Sequence, residues 1–490
     1  MNQKERLSSQ GKIAEIRLLG IPYHREVDGE IVDCTDVLER LATNENYKQK
    51  LRLAINENEE NLQPLFEGGY YGVDRKIKKG ESLTYEDAFS LMSFVLMASN
   101  SQIRSELSPR IKIGDTSLET ITLQGIALLA ELSAKEAYVG LTPEEIAGLT
   151  AATLELDTVV RVDGGQQAFG VGGMGGDRGY PRNGDRSKLF SLSTMGAAVL
   201  ACFGNVHKHH SYPNTSKIAG QTAIEAIGGR SDQDSQSAME VLQHETNLFM
   251  SSCHTVRTLH TISHRLKGET INHVVGPLAI PVSKDTTLNA FIGVNDNVHP
   301  ETIIRSLQIL QKNGIQKYGN SVAFCGLLKS NSSHFSEQGY YQDKEAKNNV
   351  AIDEVAPPPH DTLAAFLVEG QNLGTFIITP SDFLDDDLIA HVDFHGLLIP
   401  NTAEGILQAN NDAIIGQDLP KSIYLAMTVA LGIFTRDYSH LKGAFDQKNR
   451  RVNQQMLRKS FYLAFEKIAG GDASAKLQEY IIMSNEVLNI

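Results

Sequence analysis

At 490 residues the chain can bury one large core and a smaller one, so two domains are expected. Apolar residues make up 41% and charged residues 21%, the proportions of an ordinary globular protein, and the net charge is −14. That balance argues against a nucleic-acid partner held mainly through its phosphates, but leaves room for a small anionic substrate in a local basic pocket.

The first residues, Met1-Asn2-Gln3-Lys4-Glu5-Arg6, lack the apolar core of a signal peptide. The apolar run Tyr424–Phe434 is too short to cross a bilayer, so no membrane partner is expected. Cys34, Cys202, Cys253 and Cys325 are scattered without a C-x-x-C, which gives neither a disulfide framework nor a cysteine zinc site. A reduced, cytoplasmic compartment is expected.

In chain order, residues 1–75 form a charged N-terminal extension, expected to be mostly helical, with a helix over Asp36–Glu59. Residues 76–160 read as a small all-helical domain, completed by a later segment near 240–268. Its helices start at Thr84-Tyr85-Glu86-Asp87, span Thr120–Glu136, and start again at Thr142-Pro143-Glu144-Glu145. The last start combines a capping hydroxyl, a proline at the first helical position and early acids. Ser101–Ser117 reads as an insertion loop between the first two.

Residues 161–490 read as an α/β domain with a mainly parallel central sheet flanked by helices. Met195–Phe203 is an alanine-rich buried helix, Val206 lies on a short strand, and Ser216–Ile227 is an amphipathic helix closed by Gly228-Gly229. Ala290–Val294 and Ser321–Cys325 are buried strands on either side of a helix over Pro300–Lys312. Leu363–Glu369 and Leu373–Thr379 form a hairpin about Gly370-Gln371-Asn372, and Ala403–Asn410, Ile423–Leu431 and Val452–Ile468 supply closing helices. No internal repeat or low-complexity tract is present.

The chemistry concentrates between Phe169 and Lys217. A glycine-dense loop, Gly170-Val171-Gly172-Gly173-Met174-Gly175-Gly176-Asp177, lets backbone N–H groups approach a phosphate and ends in an acid suited to Mg²⁺. A hydroxyl-rich helix start, Phe190-Ser191-Leu192-Ser193-Thr194, offers unpaired donors and a positive dipole end. The basic pair Lys208-His209 comes next, and a polyphosphate is the expected ligand. The same hydroxyls could be plain helix caps, and Asp353-Glu354 could be a solvated pair. His207-x-His209-His210 has no matching carboxylate or cysteine in the nearby sequence for a metal site. His391-x-Asp393-x-His395 would share one face of a strand and reads as a surface cluster, and Asp385-Asp386-Asp387 as a solvated loop.

Taken together and in order, these segments resemble the anthranilate phosphoribosyltransferase family of glycosyltransferase family 3, whose fold is shared with pyrimidine nucleoside phosphorylases. The family's G-T-G-G-D loop is similar to Gly173-Met174-Gly175-Gly176-Asp177, and its F-N-I-S-T helix start to Phe190–Thr194. Its K-H pair matches Lys208-His209, its S-S-K entry Thr215-Ser216-Lys217, its N-x-x-G-P-L-x-N-P segment His273–Pro281, and its D-E pair Asp353-Glu354. The resemblance covers residues 77–480, with insertions at 101–117, 178–188 and 328–349, and an ordered set of motifs is far more specific than one glycine loop.

The resemblance implies a Mg²⁺-dependent transfer of a phosphoribosyl group from phosphoribosyl pyrophosphate to the nitrogen of an aromatic acceptor, within tryptophan biosynthesis as the family's usual role. It implies a homodimer formed through the helical domain. Carried over, Gly173, Gly175, Gly176 and Asp177 cradle the pyrophosphate; Ser191 and Thr194 contact phosphate; Ser193, Asp353 and Glu354 hold metal. Lys208 supplies charge and, with Asp177, the catalytic function, while His209, Ser211 and His254 fall on the acceptor side.

The departures lie on that acceptor side. Where the family continues K-H with G-N-R, this chain has His210-Ser211-Tyr212. The two arginines of the family's V-R-x-x-L-G-x-R-T segment fall on Ser263 and Glu269, and loss of a bidentate carboxylate clamp should cost heavily in anthranilate recognition. Two alternatives stay open: a nucleoside phosphorylase, and a family member without transferase activity that binds nucleic acid or a partner protein.

Overall fold

The computed structural model describes residues 24–27, 30–33, 70–99, 118–157, 161–175, 180–182, 185–210, 219–230, 236–251, 259, 270–328, 350–400 and 402–487. In the N-terminal extension, His24–Val27 (β1) and Glu30–Asp33 (β2) pair antiparallel. The helix expected over 36–59 and the insertion loop at 101–117 lie outside the described residues.

Four helices come next: Tyr70–Lys78 (α1), Tyr85–Ser99 (α2), Leu118–Tyr138 (α3) and Pro143–Ala152 (α4). Their starts are those that local chemistry dictates. Thr84 Oγ1 accepts the Asp87 N–H at 3.1 Å. At α4 the capping box closes in both directions: Thr142 Oγ1 accepts the Glu145 N–H at 3.3 Å, and Glu145 Oε2 accepts the Thr142 N–H at 2.8 Å.

Glu145 does more than cap. Its Oε1 accepts the Leu83 N–H at 2.9 Å and the Lys135 ammonium, and both charged side chains are buried. One carboxylate thus joins α3, α4 and the approach to α2. Removing one partner of such a pair strands the other charge in a dry interior.

The α/β domain opens with Gln167–Gly173 (β3), a short hairpin of Tyr180–Arg182 (β4) and Asp185–Lys188 (β5), and the helix Leu192–Leu200 (α5). Next come Val206–His209 (β6), Gly220–Ala226 (α6), Gln236–Thr246 (α7), Leu248–Ser251 (β7) and Asn272–Val275 (α8). Thr287–Gly293 (β8), Pro300–Lys312 (α9), Lys317–Tyr318 (β9), Ser321–Leu328 (β10), Val350–Ile352 (β11), Asp361–Val368 (β12) and Gln371–Ile378 (β13) complete the sheet. Ala403–Ile414 (α10), Leu419–Ile433 (α11), Gln454–Ala469 (α12) and Asp472–Glu486 (α13) close the domain.

The strand order is β13-β12-β10-β8-β3-β6-β7, with β9 beside β8 and β11 beside β10. The run from β10 through β8, β3 and β6 to β7 is parallel, and β11, β12 and β13 are antiparallel additions. Helix α5 packs on β3 and β6, and α9 on β10, β12 and β13. Helix α11 is buried along Ser422–Ile433, which explains its apolar run. No helix among the described residues is long and apolar enough to cross a membrane.

The chain leaves β3 toward β6 and β7 on one side and later adds β8 and β10 on the other. The carboxyl ends of β3 and β8 therefore flank a topological switch point, the place where parallel sheets leave a ligand crevice. Helix α9 also touches the helical domain, where Ser306 Oγ donates to the Pro143 carbonyl at 3.1 Å.

Several local expectations are corrected. The β12–β13 turn is Glu369-Gly370, because both residues take positive φ (49° and 79°) and Val368 pairs with Gln371. Leu248–Ser251, within the segment near 240–268 read with the helical domain, is an edge strand on β6. Asp393 does not lie on a strand; it caps a one-turn helix, Phe394–Leu397, by accepting the Gly396 N–H at 3.0 Å. Asp385, Asp386 and Asp387 are exposed as expected, and Asp385 in addition accepts from Arg458 and, at 2.7 Å, from the Tyr462 hydroxyl.

Glu145→Ala should destabilise the protein by about 3–5 kcal/mol, the usual cost of stranding one member of a buried pair. Urea denaturation followed by circular dichroism measures it; a loss below about 1 kcal/mol would show that the Glu145–Lys135 pair is not the helical domain's anchor.

Candidate active site

Strand β3 delivers the glycine loop to the switch point. Gly172 lies so close to the next segment that a Cβ there would stand 2.6 Å from the Pro277 carbonyl oxygen. At Gly173 a Cβ would stand 2.7 Å from Asp353 Oδ2 and 3.9 Å from Ser193 Oγ. Glycine loop, helix start and acid pair therefore meet around one point. The bare Gly173 Cα leaves that space open.

Gly175, at φ 74°, donates its N–H to Asp353 Oδ2 at 2.7 Å. An amide expected to meet a phosphate is thus held by a carboxylate oxygen of similar geometry, and an incoming anion must displace Asp353 or share it. Gly176 and Asp177 lie outside the described residues.

At the start of α5, Ser191 occupies the cap position, but its side chain makes no capping bond. Its N–H instead donates to Asn410 Oδ1 on α10 at 2.8 Å. Ser193 faces the crevice at Gly173. Thr194 is buried, with Oγ1 2.7 Å from where a Gly220 Cβ would be, so its hydroxyl packs against the start of α6.

The acid pair arrives by another route. Asp353 and Glu354 come just after β11 and are each only 9% exposed. The Tyr424 hydroxyl on α11 donates to the Val355 carbonyl at 2.7 Å and fixes the stretch just beyond them.

Lys208 and His209 end strand β6. Burial lowers the Lys208 ammonium to about 8, against the opposing pull of Glu354 and Asp353. Nζ also lies 3.4 Å from the His209 carbonyl oxygen. Burial, aided by Lys208, lowers His209 to about 3, and its Nδ1 lies 3.1 Å from Ser251 Oγ. His207 falls to about 3 by burial alone. Both rings are neutral at pH 7. Ser211 and His254 lie outside the described residues.

Two carboxylates and a hydroxyl are hard oxygen donors, the chemistry Mg²⁺ selects, and that ion ordinarily keeps waters and substrate oxygens in its remaining positions. Asp353, Glu354 and Ser193 thus fit a Mg²⁺ site. Among the described residues no group of three or more His, Cys, Asp or Glu is placed to hold a metal.

Three relationships gave no sequence signal. Asn410 sits mid-helix and reaches Ser191 across 219 residues. Gly293, at the end of β8, lies against the Asp353 main chain, with a Cβ position 1.8 Å from its carbonyl oxygen. Pro277 lies against Gly172. All three are tertiary contacts with no local pattern.

Known proteins resemble this chain in sequence and in fold. Residues 183–314 match the model of the glycosyl transferase family a/b domain. An anthranilate phosphoribosyltransferase of Methanococcus maripaludis is 27% identical over 255 residues, 50% of this chain and 66% of the relative. One from Bacillus cereus is 28% identical over 285 residues, 57% of this chain and 70% of the relative.

Over about half of its length this chain is thus similar to anthranilate phosphoribosyltransferases. It spans just under two thirds of the length of the Methanococcus maripaludis relative and of the Methanococcus aeolicus relative, 66% and 65%. The fold is also that of the anthranilate phosphoribosyltransferase from Thermus thermophilus, with a TM-score of 0.54 at 19% identity over 84% of this chain and 99% of that one. The enzyme from Saccharomyces cerevisiae, solved in complex with PRPP and Mg, gives a TM-score of 0.56 at 16% identity over 86% and 99%.

Gly173→Ala should force Asp353 Oδ2 away and break its bond to the Gly175 amide. Hydrogen exchange of the peptide holding Gly175 should speed up about tenfold, as expected for losing a bond to a charged acceptor. Unchanged exchange would separate the glycine loop from the acid pair.

Proposed function

We propose that this protein transfers the 5-phosphoribosyl group from phosphoribosyl pyrophosphate to the nitrogen of an aromatic acceptor, releasing pyrophosphate. The observation that carries this reading is the meeting of Gly173, Ser193 and Asp353 at the carboxyl ends of parallel strands. That meeting joins the segments the family uses for the donor.

In this reading Gly173, Gly175, Gly176 and Asp177 surround the diphosphate, with Ser191 and Thr194 as hydroxyl donors at the start of α5. Asp353, Glu354 and Ser193 hold Mg²⁺, which supplies positive charge to the departing pyrophosphate. Lys208 adds a buried ammonium where that charge develops. The nucleophile is an uncharged aromatic amine, so the site needs no strong base.

Acceptor choice follows from the imidazoles. His209 is neutral, so on the acceptor side it offers a hydrogen bond but no charge for a carboxylate. With Ser263 and Glu269 where the family has arginines, an aromatic amine lacking a carboxylate suits this chain better than anthranilate. Two copies pairing through the helical domain complete the reading; exposed Leu123, Tyr138 and Val139 at α3 support a covered face there. A reducing cytoplasm suits Cys202, a free thiol that burial holds up at about 11.

Calorimetry with phosphoribosyl pyrophosphate and Mg²⁺, then pyrophosphate release across a panel of aromatic amines with and without carboxylates, tests the proposal. Asp353→Asn with Glu354→Gln should abolish metal-dependent turnover without unfolding the protein. Undiminished turnover would discard the metal role.

A pH series gives a second check. The Lys208 charge is present below about 8 and lost as pH rises through it, so donor binding should weaken above pH 8. Lys208→Met should bind more weakly and lose that break; a break surviving in the variant would assign it elsewhere. Because the folded value lies below the ordinary lysine value, Lys208 lowers stability below pH 8, and that stability is regained as pH rises from 8 to 10.5.

A further inference from the structure

One buried polar cluster outside the donor crevice joins the helical domain to the sheet. Glu136, near the end of α3, is 2% exposed. Its Oε1 and Oε2 lie 3.0 and 2.9 Å from His273 Nε2, and Asn295 Nδ2 donates to Oε1 at 3.2 Å. The other ring nitrogen of His273, Nδ1, is hydrogen-bonded to the Thr270 carbonyl.

A carbonyl only accepts, so Nδ1 carries a hydrogen; a carboxylate only accepts, so Nε2 carries one too. His273 in its imidazolium form satisfies both. The neighbouring ammonium, Lys135, is committed to Glu145. Glu136 therefore has a histidine as its counter-ion in a dry domain boundary, where a charge-assisted bond is at its strongest.

Each partner of Glu136 leads to one wall of the donor crevice. His273 lies in α8, which is followed by Gly276 and then by Pro277, whose carbonyl abuts Gly172. Asn295 lies two residues past Gly293, which accepts the Met174 N–H at 3.0 Å and abuts Asp353. Both paths run through short, continuous stretches of chain.

We propose that Glu136 is the interdomain latch of the donor site: through His273 it fixes the turn against Gly172, and through Asn295 the turn against Asp353. The position of the helical domain thereby sets the spacing between glycine loop and acid pair. Glu136 touches no reacting atom and acts as a positioning residue; its kinetic consequence rests on the phosphoribosyl-transfer reading.

The test compares Glu136→Ala, Glu136→Gln and Asn295→Ala by hydrogen exchange, ring-nitrogen NMR and calorimetry. In the wild type, His273 should show both ring nitrogens protonated at pH 7. Glu136→Ala should speed exchange about tenfold in peptides covering 170–175 and 291–297, and weaken phosphoribosyl pyrophosphate binding tenfold or more while leaving the acceptor KM unchanged. Glu136→Gln still accepts from Asn295 and can donate to a neutral His273, so it should stay within threefold of wild type.

Asn295→Ala keeps the ion pair and should loosen only 291–297, which serves if Glu136→Ala fails to fold. Exchange unchanged in folded Glu136→Ala, both segments loosened by Asn295→Ala, or a singly protonated wild-type His273 would each overturn the latch. A wild type that binds no phosphoribosyl pyrophosphate would overturn the functional reading alone, since exchange and ring protonation still decide the latch.

Discussion

A side chain at position 293 has nowhere to go. Its Cβ would stand 1.8 Å from the Asp353 carbonyl oxygen, so β8 must end in glycine for the acid pair to reach the switch point. The rest of the crevice is organised around that contact. It brings Asp353 Oδ2 within 2.7 Å of the Gly175 amide and against the bare Cα of Gly173. Three segments distant in sequence share one small volume only because two of them lack side chains at the point of contact.

The electrostatics of that volume derive from its burial. A chain with net charge −14 repels anions at long range, so any diphosphate site must be made locally. Lys208 is buried deeply enough to lose much of its ordinary basicity, yet Glu354 and Asp353 pull it back toward the charged form. Desolvation and pairing oppose each other, and the balance leaves an ammonium that is mostly protonated at neutral pH. The adjacent imidazoles fall on the other side of that balance: burial makes His207 and His209 neutral.

Elements governed by neighbours in sequence were legible. The capping box at Thr142 and Glu145 and the span Pro300–Lys312 are local chemistry, and both stand where residue patterns put them. The Glu369-Gly370 turn lies slightly earlier than expected, because glutamate at φ 49° is not a residue that announces a left-handed turn. Leu248–Ser251 is too short at four residues to show a helical or a strand period, and only pairing with β6 decides it. Of the site, the residue types and their order were legible. What Asp353 does to the Gly175 amide, and what Asn410 does to Ser191, depends on contacts across 178 and 219 residues.

In the proposed function the same distinction separates the donor half of the site from the acceptor half. The donor half rests on backbone: glycine Cα atoms, main-chain amides and strand ends, which tolerate Met174 in place of threonine because the amide position does not depend on that side chain. Acceptor recognition rests on side chains such as bidentate arginines, which a single substitution removes without disturbing the sheet. On the proposed reading, the geometry of the donor crevice can therefore persist while the acceptor positions carry Ser211, Tyr212, Ser263 and Glu269. The backbone half is fixed by packing, since Gly293 and Gly172 cannot gain a side chain without moving Asp353 and Pro277.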